Sequence, residues 1–485
     1  MNYRLIFRLL GNILKIEALF MLLPLGVSLI YGEGDFWAFL WSIPILFLAG
    51  ALLSLCRTDE KAFRTKEALV AAALTWLAIS LFGALPFLFS GCFRGPVDCI
   101  FESVSGFTTT GSSVLSDVEA LPRGILFWRN FSQWIGGMGV LVFMLAVMPP
   151  SSASSVNLLK AELTGPSPDK IVPKLRETAK ITYLIYLAMT VLLIVLLKIA
   201  GLPLYDSLVG AFSTAGTGGF SVKNSGIWSY GNTAVEIIMS VFMFLFGVNF
   251  SLYFLLFERK LKTLLQDSEL VFYFGIVLVS IAAIAVNTAK MYGGIFEALQ
   301  KSAFQVSSVV STTGYATADF GLWPPTSQAI LLILMFTGCC AGSTGGGIKL
   351  ARIVILLKAA KIELRKIFHP GSVESVLIGK KRINDETVNR TALFFFVYFA
   401  VLAGSTILVS IDSNGGKSLS DGAAAVFASV NNIGIEAINP KGNYADYSVF
   451  SKLVFSFCMI AGRLEFFPVL VLFAPGLWKQ KKPVK

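Results

Sequence analysis

The chain has 485 residues, of which 55% are hydrophobic and only 14% are charged, and its mean hydropathy is +0.73. A soluble chain would carry about a quarter charged residues, so this composition excludes an ordinary soluble protein. The net charge of +11 would suggest a nucleic-acid partner in a soluble chain. In a membrane chain it fits basic cytoplasmic loops instead, so we expect a lipid bilayer as partner and no nucleic acid.

Ten apolar segments are long enough to cross a bilayer core, which takes about 20 residues of helix. Lys and Arg concentrate in the connections on one side of this path, and by the positive-inside rule that side is the cytoplasm. Both termini would then be cytoplasmic. The predicted spans are 5–31, 36–56, 67–92, 124–148, 178–201, 232–257, 269–290, 326–360 (interrupted), 390–411 and 448–474, and the basic connections are 57–66, 149–180, 258–268, 361–390 and the C-terminal tail.

Four connections on the opposite side contain related segments, each too short to span a membrane. They align without gaps over fourteen positions. Each is typical of a short re-entrant helix followed by a loop, which membranes tolerate only where the loop is buried or lines a water-filled cavity. The segments are DCIFESVSGFTTTG (98–111), DSLVGAFSTAGTGG (206–219), KSAFQVSSVVSTTG (301–314) and DGAAAVFASVNNIG (421–434).

The residue types in these segments suggest cation binding. Asp98, Asp206 and Asp421 open three of the segments, where an aspartate can cap the positive end of a helix. A glycine closes each segment and supplies backbone angles that can point carbonyl oxygens toward a shared axis. Four such loops would make a carbonyl ring able to replace the water shell of a cation.

At these residues the chain resembles the Trk/Ktr/HKT superfamily of cation transporters, and within it the TrkH-type potassium-translocating subunits of bacterial Trk systems. The resemblance covers essentially the whole chain. The motifs on which the resemblance rests are FESVSGFTTTG (101–111), QWIGGMGVLV (133–142), FSTAGTGGFS (212–221), FMFLFGVNFSLYF (242–254), STTGYAT (311–317), GSTGGGIK (342–349) and NNIG (431–434).

The resemblance implies an all-α polytopic membrane protein, built like a potassium channel from four M1–pore helix–M2 repeats about a pseudo-fourfold axis. Two further transmembrane helices precede the repeats. The implied domains are 1–60 for the N-terminal helix pair, 61–150 for repeat 1, 151–262 for repeat 2, 263–370 for repeat 3 with a broken M2 helix, and 371–485 for repeat 4.

The resemblance also implies one selectivity-filter glycine in each repeat, at a single site that selects potassium and rubidium. In the second repeat Gly218 could be mistaken for this glycine, but the count from Asp206 and the family's glycine–phenylalanine pairing favour Gly219. The fourth repeat departs most from the threonine-rich pattern. The implied potassium-binding residues are Thr109, Thr110, Gly111, Thr217, Gly218, Gly219, Thr312, Thr313, Gly314, Asn432, Ile433 and Gly434.

A glycine-rich stretch, TGCCAGSTGGGIK (337–349), interrupts the eighth apolar segment with five glycines between positions 338 and 347. Each glycine inside a helix costs about 1 kcal/mol relative to alanine, so we predict that residues 338–347 are not helical. The resemblance implies that this stretch is the intramembrane gating loop below the filter; the alternative is a kink for close packing. The implied gating residues are Gly338, Gly342, Ser343, Thr344, Gly345, Gly346, Gly347, Lys349 and Arg463.

Arg463 follows Gly462 in the last apolar segment, where a charge is costly and usually faces a cavity or a partner. The resemblance places it near the gating loop, where it could restrain the loop and raise the barrier to cations. The alternative is an arginine at the inner interface or paired with Glu465. Glu465 is a poor partner along a helix, because residues two positions apart do not share a face.

The implied partners are potassium as substrate, a second copy in a homodimer with one pore per protomer, and a TrkA-like cytoplasmic ring that binds nucleotides. ATP, ADP or NAD(H) would act only through that ring, because no nucleotide-binding segment is evident in this chain. GSTGGGIK is not a P-loop, since Ile348 separates the last glycine from Lys349. The implied location is the bacterial inner membrane.

Two transport functions compete: a gated potassium pore and an ion-coupled secondary transporter, such as a potassium/proton or sodium symporter. All four re-entrant segments lie on one side, which opposes the inverted repeats of many carriers. An enzyme is not expected, because the single histidine, His369, lies in a cytoplasmic loop and the spans contain no nucleophile–base set. The six cysteines lack metal-ligand spacing, although Cys92 and Cys99 could pair outside the cell.

Overall fold

The computed structural model describes residues 1–56, 63–139, 175–257, 259–260, 262, 264, 266–369, 374–378, 381–412, 418–434 and 443–474. This part of the chain contains nineteen α-helices, three short 3₁₀ helices and one two-stranded antiparallel ribbon. The 3₁₀ helices are Gly226–Tyr230, Phe320–Leu322 and Tyr444–Asp446, and the ribbon pairs β1 (Leu377–Ile378) with β2 (Lys381–Arg382). Most of the predicted basic connection 149–180 and the C-terminal tail lie outside the described residues.

The N-terminal pair consists of α1 (Tyr3–Phe20), which continues into α2 (Leu22–Tyr31), and α3 (Phe36–Ser54). Helices α1 and α3 cross where Gly11 faces Gly50. A Cβ atom on Gly11 would lie 2.5 Å from the Gly50 carbonyl oxygen, so the crossing requires a residue without a side chain. Close approach through small residues is a common way to pack helices in a membrane.

Each of the four repeats contains a first helix, a shorter pore helix and a second helix. Repeat 1 has α4 (Thr65–Gly83) and α5 (Leu85–Ser90), α6 (Pro96–Phe107) and α7 (Arg123–Gly137). Repeat 2 has α8 (Leu175–Ile199), α9 (Leu204–Gly216), and α10 (Thr233–Phe246) with α11 (Phe250–Phe257). Repeat 3 has α12 (Ser268–Thr288), α13 (Ile295–Val310), and α14 (Pro325–Thr337) with α15 (Leu350–Phe368). Repeat 4 has α16 (Asp385–Ile411), α17 (Leu419–Asn431), and α18 (Val449–Arg463) with α19 (Phe467–Leu472).

Six helical segments of the described chain are long and apolar enough to cross a bilayer: Tyr3–Tyr31, Phe36–Ser54, Thr65–Ser90, Ala179–Ile199, Ser268–Thr288 and Asp385–Ile411. They are the N-terminal pair and the four first helices. Two second helices differ from the expectation of continuous spans, because α10 and α11 meet at 97° and α18 has only 15 residues. Helix α14 has 13 residues, which agrees with the expected interruption of the span 326–360. Helix α7 ends at Gly137, and most of the rest of its predicted span, from residue 140, lies outside the described residues.

The first helices expose apolar side chains outward, whereas the pore helices are buried. Val279 and Val286 of α12 are 70% and 72% exposed, and Phe396 of α16 is 72% exposed. By contrast, Phe101 of α6 and Phe304 of α13 are fully buried. An apolar exterior around a buried centre is the arrangement expected of a helical protein in lipid. The core therefore lies around the pore helices.

The expectation that aspartates cap the pore helices holds for Asp421, whose side chain accepts from the Ser418 N–H in a capping box, but not for Asp98 and Asp206. Asp98, Asp206 and Asp421 are each the third residue of their helix, while the N-cap residues are Gly95, Pro203 and Ser418. Asp98 accepts a hydrogen bond from Lys452 at 2.7 Å, and Asp206 accepts one from Tyr230 at 2.9 Å. These carboxylates still lie in the first helical turn, where the positive end of the helix dipole stabilises them.

The sequence left open whether Cys92 and Cys99 pair. All six cysteines lie within the described residues and all are free thiols, so Cys92 and Cys99 are not paired.

Candidate functional site

The C-terminal ends of the four pore helices share one backbone geometry. Residues Thr109, Thr217, Thr312 and Asn432 have φ angles of 55°, 54°, 59° and 53°, in the left-handed region. The N–H of the next residue in each repeat donates to the carbonyl five residues earlier, at 2.9 to 3.0 Å. These features define a Schellman motif, which ends a helix sharply. We call residues 109–111, 217–219, 312–314 and 432–434 the four turn segments.

The turn segments meet at their glycines. A Cβ atom on Gly111 would lie 1.9 Å from the Gly218 carbonyl oxygen, and one on Gly219 would lie 2.0 Å from the Thr313 carbonyl oxygen. A Cβ atom on Gly434 would lie 2.9 Å from the Gly111 carbonyl oxygen. Three of the four neighbouring pairs of segments therefore touch through backbone atoms, which leaves no room for side chains at these positions.

The same geometry distinguishes Gly219 from Gly218. Gly219 has a φ of 77°, close to the 84° of Gly111 and the 87° of Gly314. Gly218 instead directs its carbonyl oxygen toward Gly111. The structure therefore makes Gly219 the equivalent of Gly111 and Gly314, in agreement with the gapless alignment.

Short hydrogen bonds hold the turn segments in place. Ser105 donates to the Ser112 carbonyl and Ser308 donates to the Tyr315 carbonyl, both at 2.6 Å, so the residue after the glycine is fixed in the same way in repeats 1 and 3. In repeat 4, Asn432 donates through Nδ2 to Thr110 Oγ1 at 2.9 Å. The amide side chain thus joins the turn segments of repeats 4 and 1.

Two buried oxygen atoms in the turn segments have no hydrogen-bond partner among the described residues. They are Thr109 Oγ1 and Asn432 Oδ1, and both side chains are fully buried. Buried oxygens without a partner are costly, so such atoms often face a water molecule or an ion. The arrangement can therefore offer side-chain oxygens as well as carbonyls to a cation.

A buried ion pair lies behind the turn segments, and the sequence analysis missed it. Arg129 of α7 contacts Glu102 of α6 at 2.6 Å, and both side chains are almost fully buried. Arg129 also donates to the Ser221 carbonyl at 3.1 Å and lies 3.5 Å from the centre of the Phe220 ring. The pair connects the backbone after the turn segment of repeat 2 to the pore helix of repeat 1. An acidic residue and a basic residue within predicted membrane segments were the available signal.

Residues 338–349, which we call the glycine loop, are not helical and separate α14 from α15. This confirms the prediction made for residues 338–347. Gly338, Gly342 and Gly347 have φ angles of 53°, 72° and 69°, which only glycine adopts easily. Within the loop, Ser343 donates to the Cys340 carbonyl at 2.6 Å, and buried Lys349 donates to the Gly345 carbonyl.

The glycine loop lies directly against the turn segments of repeats 3 and 4. The Gly346 N–H donates to Thr312 Oγ1 at 2.8 Å. A Cβ atom on Gly346 would lie 2.8 Å from Asn432 Cβ, and one on Gly345 would lie 2.9 Å from the Ser311 carbonyl oxygen. The loop therefore closes the side of the turn segments that faces the second helices.

Arg463 is buried, with 8% of its surface exposed, and it contacts the glycine loop rather than an interface. It donates to the Thr344 carbonyl at 2.8 Å, and to the Gly136 and Gly137 carbonyls at 2.6 and 2.8 Å. One arginine at the end of α18 thus connects the loop to the end of α7. Glu465 forms an ion pair with Arg352 of α15.

The second helices of repeats 2 and 4 are also broken at the level of the glycine loop, which the sequence analysis did not predict. The glycine loop contacts the α10–α11 break, where the backbone N–H of Cys340 donates to the Gly247 carbonyl at 3.1 Å. The α18–α19 break places Glu465 and Phe466 at φ angles of 57° and 64°. A sequence signal for these breaks exists: a glycine lies 28 positions after the last glycine of each turn segment, at Gly139, Gly247, Gly342 and Gly462.

Comparisons with known proteins match this architecture over nearly the whole chain. A family model described as "TrkH: Cation transport protein" matches residues 37–480. The Trk system potassium uptake protein TrkH of Halomonas elongata is 34% identical over 488 residues, covering 99% of this chain and 100% of the relative. The protein of the same name from Escherichia coli K12 is 33% identical over 486 residues, with the same coverage.

A solved structure is also similar. The potassium transporter TrkH from Vibrio parahaemolyticus is 30% identical, with a TM-score of 0.89 that covers 99% of this chain and 100% of that one. This match confirms the expected fold class of an all-α membrane protein with four M1–pore helix–M2 repeats and two N-terminal helices. The chain belongs to the TrkH family of cation transport proteins.

Proposed function

We propose that this chain is the ion-conducting subunit of a bacterial potassium uptake system, with the four turn segments as its selectivity filter. The observation that carries the proposal is the meeting of Gly111, Gly219 and Gly434 with their neighbours through backbone atoms. The relatives named above are potassium uptake proteins, which supports potassium as the substrate.

Selection would follow from the chemistry of these segments. A cation sheds water only where other oxygens replace it, and carbonyls held at fixed positions can do so for potassium and rubidium. Each pore helix directs its C-terminal, partially negative end toward its turn segment, which favours a cation there. Thr109 Oγ1 and Asn432 Oδ1 would add two uncommitted oxygens. Sodium and lithium, being smaller, would gain less from the same oxygens.

The glycine loop would act as the gate. It contacts Thr312 and Asn432 in the structure, and Arg463 and Lys349 would add positive charge along the route of the ion. Opening would withdraw the loop, and a partner that favours the withdrawn state would shift the equilibrium toward conduction. That partner would be a TrkA-like cytoplasmic ring that binds ATP, ADP or NAD(H). The subunit would form a homodimer in the bacterial inner membrane, with both termini in the cytoplasm.

Ion flux into liposomes that contain the purified protein tests this function. We expect potassium and rubidium to permeate better than sodium and lithium, and Gly314→Ser to reduce that preference, because Gly314 has a φ of 87° that serine adopts only with strain. Gly275→Ser is the matched control, since its Cβ would meet no atom within 4 Å.

Equal relative permeabilities in wild type and Gly314→Ser would contradict the filter assignment. Potassium accumulation that depends on an imposed proton or sodium gradient would instead assign an ion-coupled symporter.

A further inference from the structure

The glycine loop has a closed neck, formed by residues 339–341 on entry and 349–351 on exit. The Leu350 N–H donates to the Cys339 carbonyl at 3.0 Å, which joins the two limbs directly. The side chain of Glu269 joins them again from a different helix: its Oε1 accepts a hydrogen bond from the Ala341 N–H at 2.7 Å and from the Ala351 N–H at 3.1 Å. A single carboxylate oxygen therefore contacts both limbs of the neck.

Local structure explains why a carboxylate is suited to this position. Glu269 is the second residue of α12, whose N-cap is Asp267, and the helix dipole stabilises an anion there. Ala351 is the second residue of α15, and its N–H is one that a helix cannot satisfy internally. The N-cap residue of α15 is Lys349, which carries no capping oxygen. Glu269 thus caps α15 from the neighbouring helix.

The head of the loop, residues 344–346, is held by different groups. Gly346 donates to Thr312 and Thr344 accepts from Arg463, and both bonds must break if the head withdraws from the turn segments. The bonds to Glu269 lie at the opposite end of the loop. They can persist while the head moves, because α12 and the start of α15 carry them.

We propose that Glu269 is a positioning residue that clamps the neck of the glycine loop, so that the loop moves as one unit about a fixed base. The gating part of this inference rests on the proposed function. The clamp itself is a statement about structure and can be tested without transport. Hydrogen bonds to a charged acceptor are stronger than those to a neutral one. Both the acceptor oxygen of Glu269 and its negative charge therefore contribute to the strength of the clamp.

Two native thiols report on the neck. Cys339 and Cys340 are 0% and 1% exposed on the entry limb, and Cys339 donates to the Val310 carbonyl at 3.2 Å. Maleimide labelling of purified full-length protein, with the sites resolved by peptide mass spectrometry, measures how often this limb opens. Rubidium flux and the rubidium-to-sodium ratio are measured on the same liposome preparations.

We expect Glu269→Ala to label Cys339 and Cys340 about tenfold faster or more than wild type, to raise basal rubidium flux and to keep the rubidium-to-sodium ratio. Glu269→Gln keeps an acceptor oxygen but not the charge, so its labelling rate should fall between the two. The control, Asp267→Asn, removes a neighbouring charge that caps only its own helix and should match wild type.

Unchanged labelling in both Glu269 variants would overturn the clamp, whatever the flux. Raised flux without raised labelling would also overturn it, since the effect would then be electrostatic. Raised labelling in a preparation whose wild type conducts no ions would support the clamp while contradicting the proposed function. If Glu269→Ala fails to fold, Glu269→Gln carries the same test.

Discussion

Replacing Arg463 by alanine should raise the basal potassium flux, because Arg463 joins the glycine loop to the rest of the protein. Withdrawal of the loop must break its bond to the Thr344 carbonyl, whereas its bonds to the Gly136 and Gly137 carbonyls can remain. A hydrogen bond to a charged group contributes about 1.5–3 kcal/mol. At about 1.4 kcal/mol per factor of ten, its loss would favour the withdrawn state by about 10- to 150-fold.

The assay is rubidium or potassium flux into liposomes at matched protein density, with size-exclusion chromatography to verify folding. Arg463→Lys separates two causes, because lysine keeps the positive charge but cannot reach three carbonyls at once. An Arg463→Lys flux equal to that of Arg463→Ala would assign the effect to hydrogen bonds, a wild-type flux would assign it to charge, and an intermediate flux would divide it between the two. Wild-type flux in a well-folded Arg463→Ala protein would refute the reasoning, since the arginine would then not restrain the loop.

Further predictions concern the loop and the buried ion pair. Gly346→Ala should raise basal flux while changing the potassium-to-sodium ratio by less than about twofold, because the new Cβ would lie 2.8 Å from Asn432 Cβ and push the head of the loop away. Thr312→Val removes the acceptor of the Gly346 N–H and should raise flux in the same assay. Glu102→Gln leaves Arg129 buried without its counter-charge, which costs about 3–5 kcal/mol and should lower the apparent Tm in thermal unfolding; an unchanged Tm would show that the pair is not needed for stability.

The repeats were predictable because each one is marked by a short, contiguous stretch of sequence. Each turn segment follows a short helix and ends in a glycine, and these features recur at fixed spacing in the chain. The family resemblance followed from the same residues, and membership in a transporter family confirms that the chain is not an enzyme. The roles of the turn segments in selection and of the glycine loop in gating stay predictions.

The breaks in the other second helices do not show in hydropathy, and their sequence signal is the glycine 28 positions after each turn segment. Glu465 and Phe466 lie between Gly462 and Pro468 in a segment whose hydropathy suggests a span, yet both adopt left-handed backbone. The partners that stabilise the loop region are distant in sequence: Glu269 is 72 and 82 residues from the two amides that it binds. Hydropathy patterns report which residues face lipid, but they carry no information about such pairs.

The left-handed backbone at the end of three pore helices lowers the stability of the fold. Thr109, Thr217 and Thr312 are β-branched, and such residues are strained at positive φ by about 1–3 kcal/mol each. Glycine or asparagine would relieve that strain, but it would also remove the hydroxyl group. Under the proposed function, selection for a more stable fold and selection for ion coordination would favour different residues at Thr109, whose hydroxyl oxygen has no partner among the described residues. The hydroxyl groups of Thr217 and Thr312 instead bond the Gly216 carbonyl and the Gly346 N–H. Asn432 is the exception, because asparagine tolerates the left-handed backbone and its side chain also donates to Thr110 Oγ1.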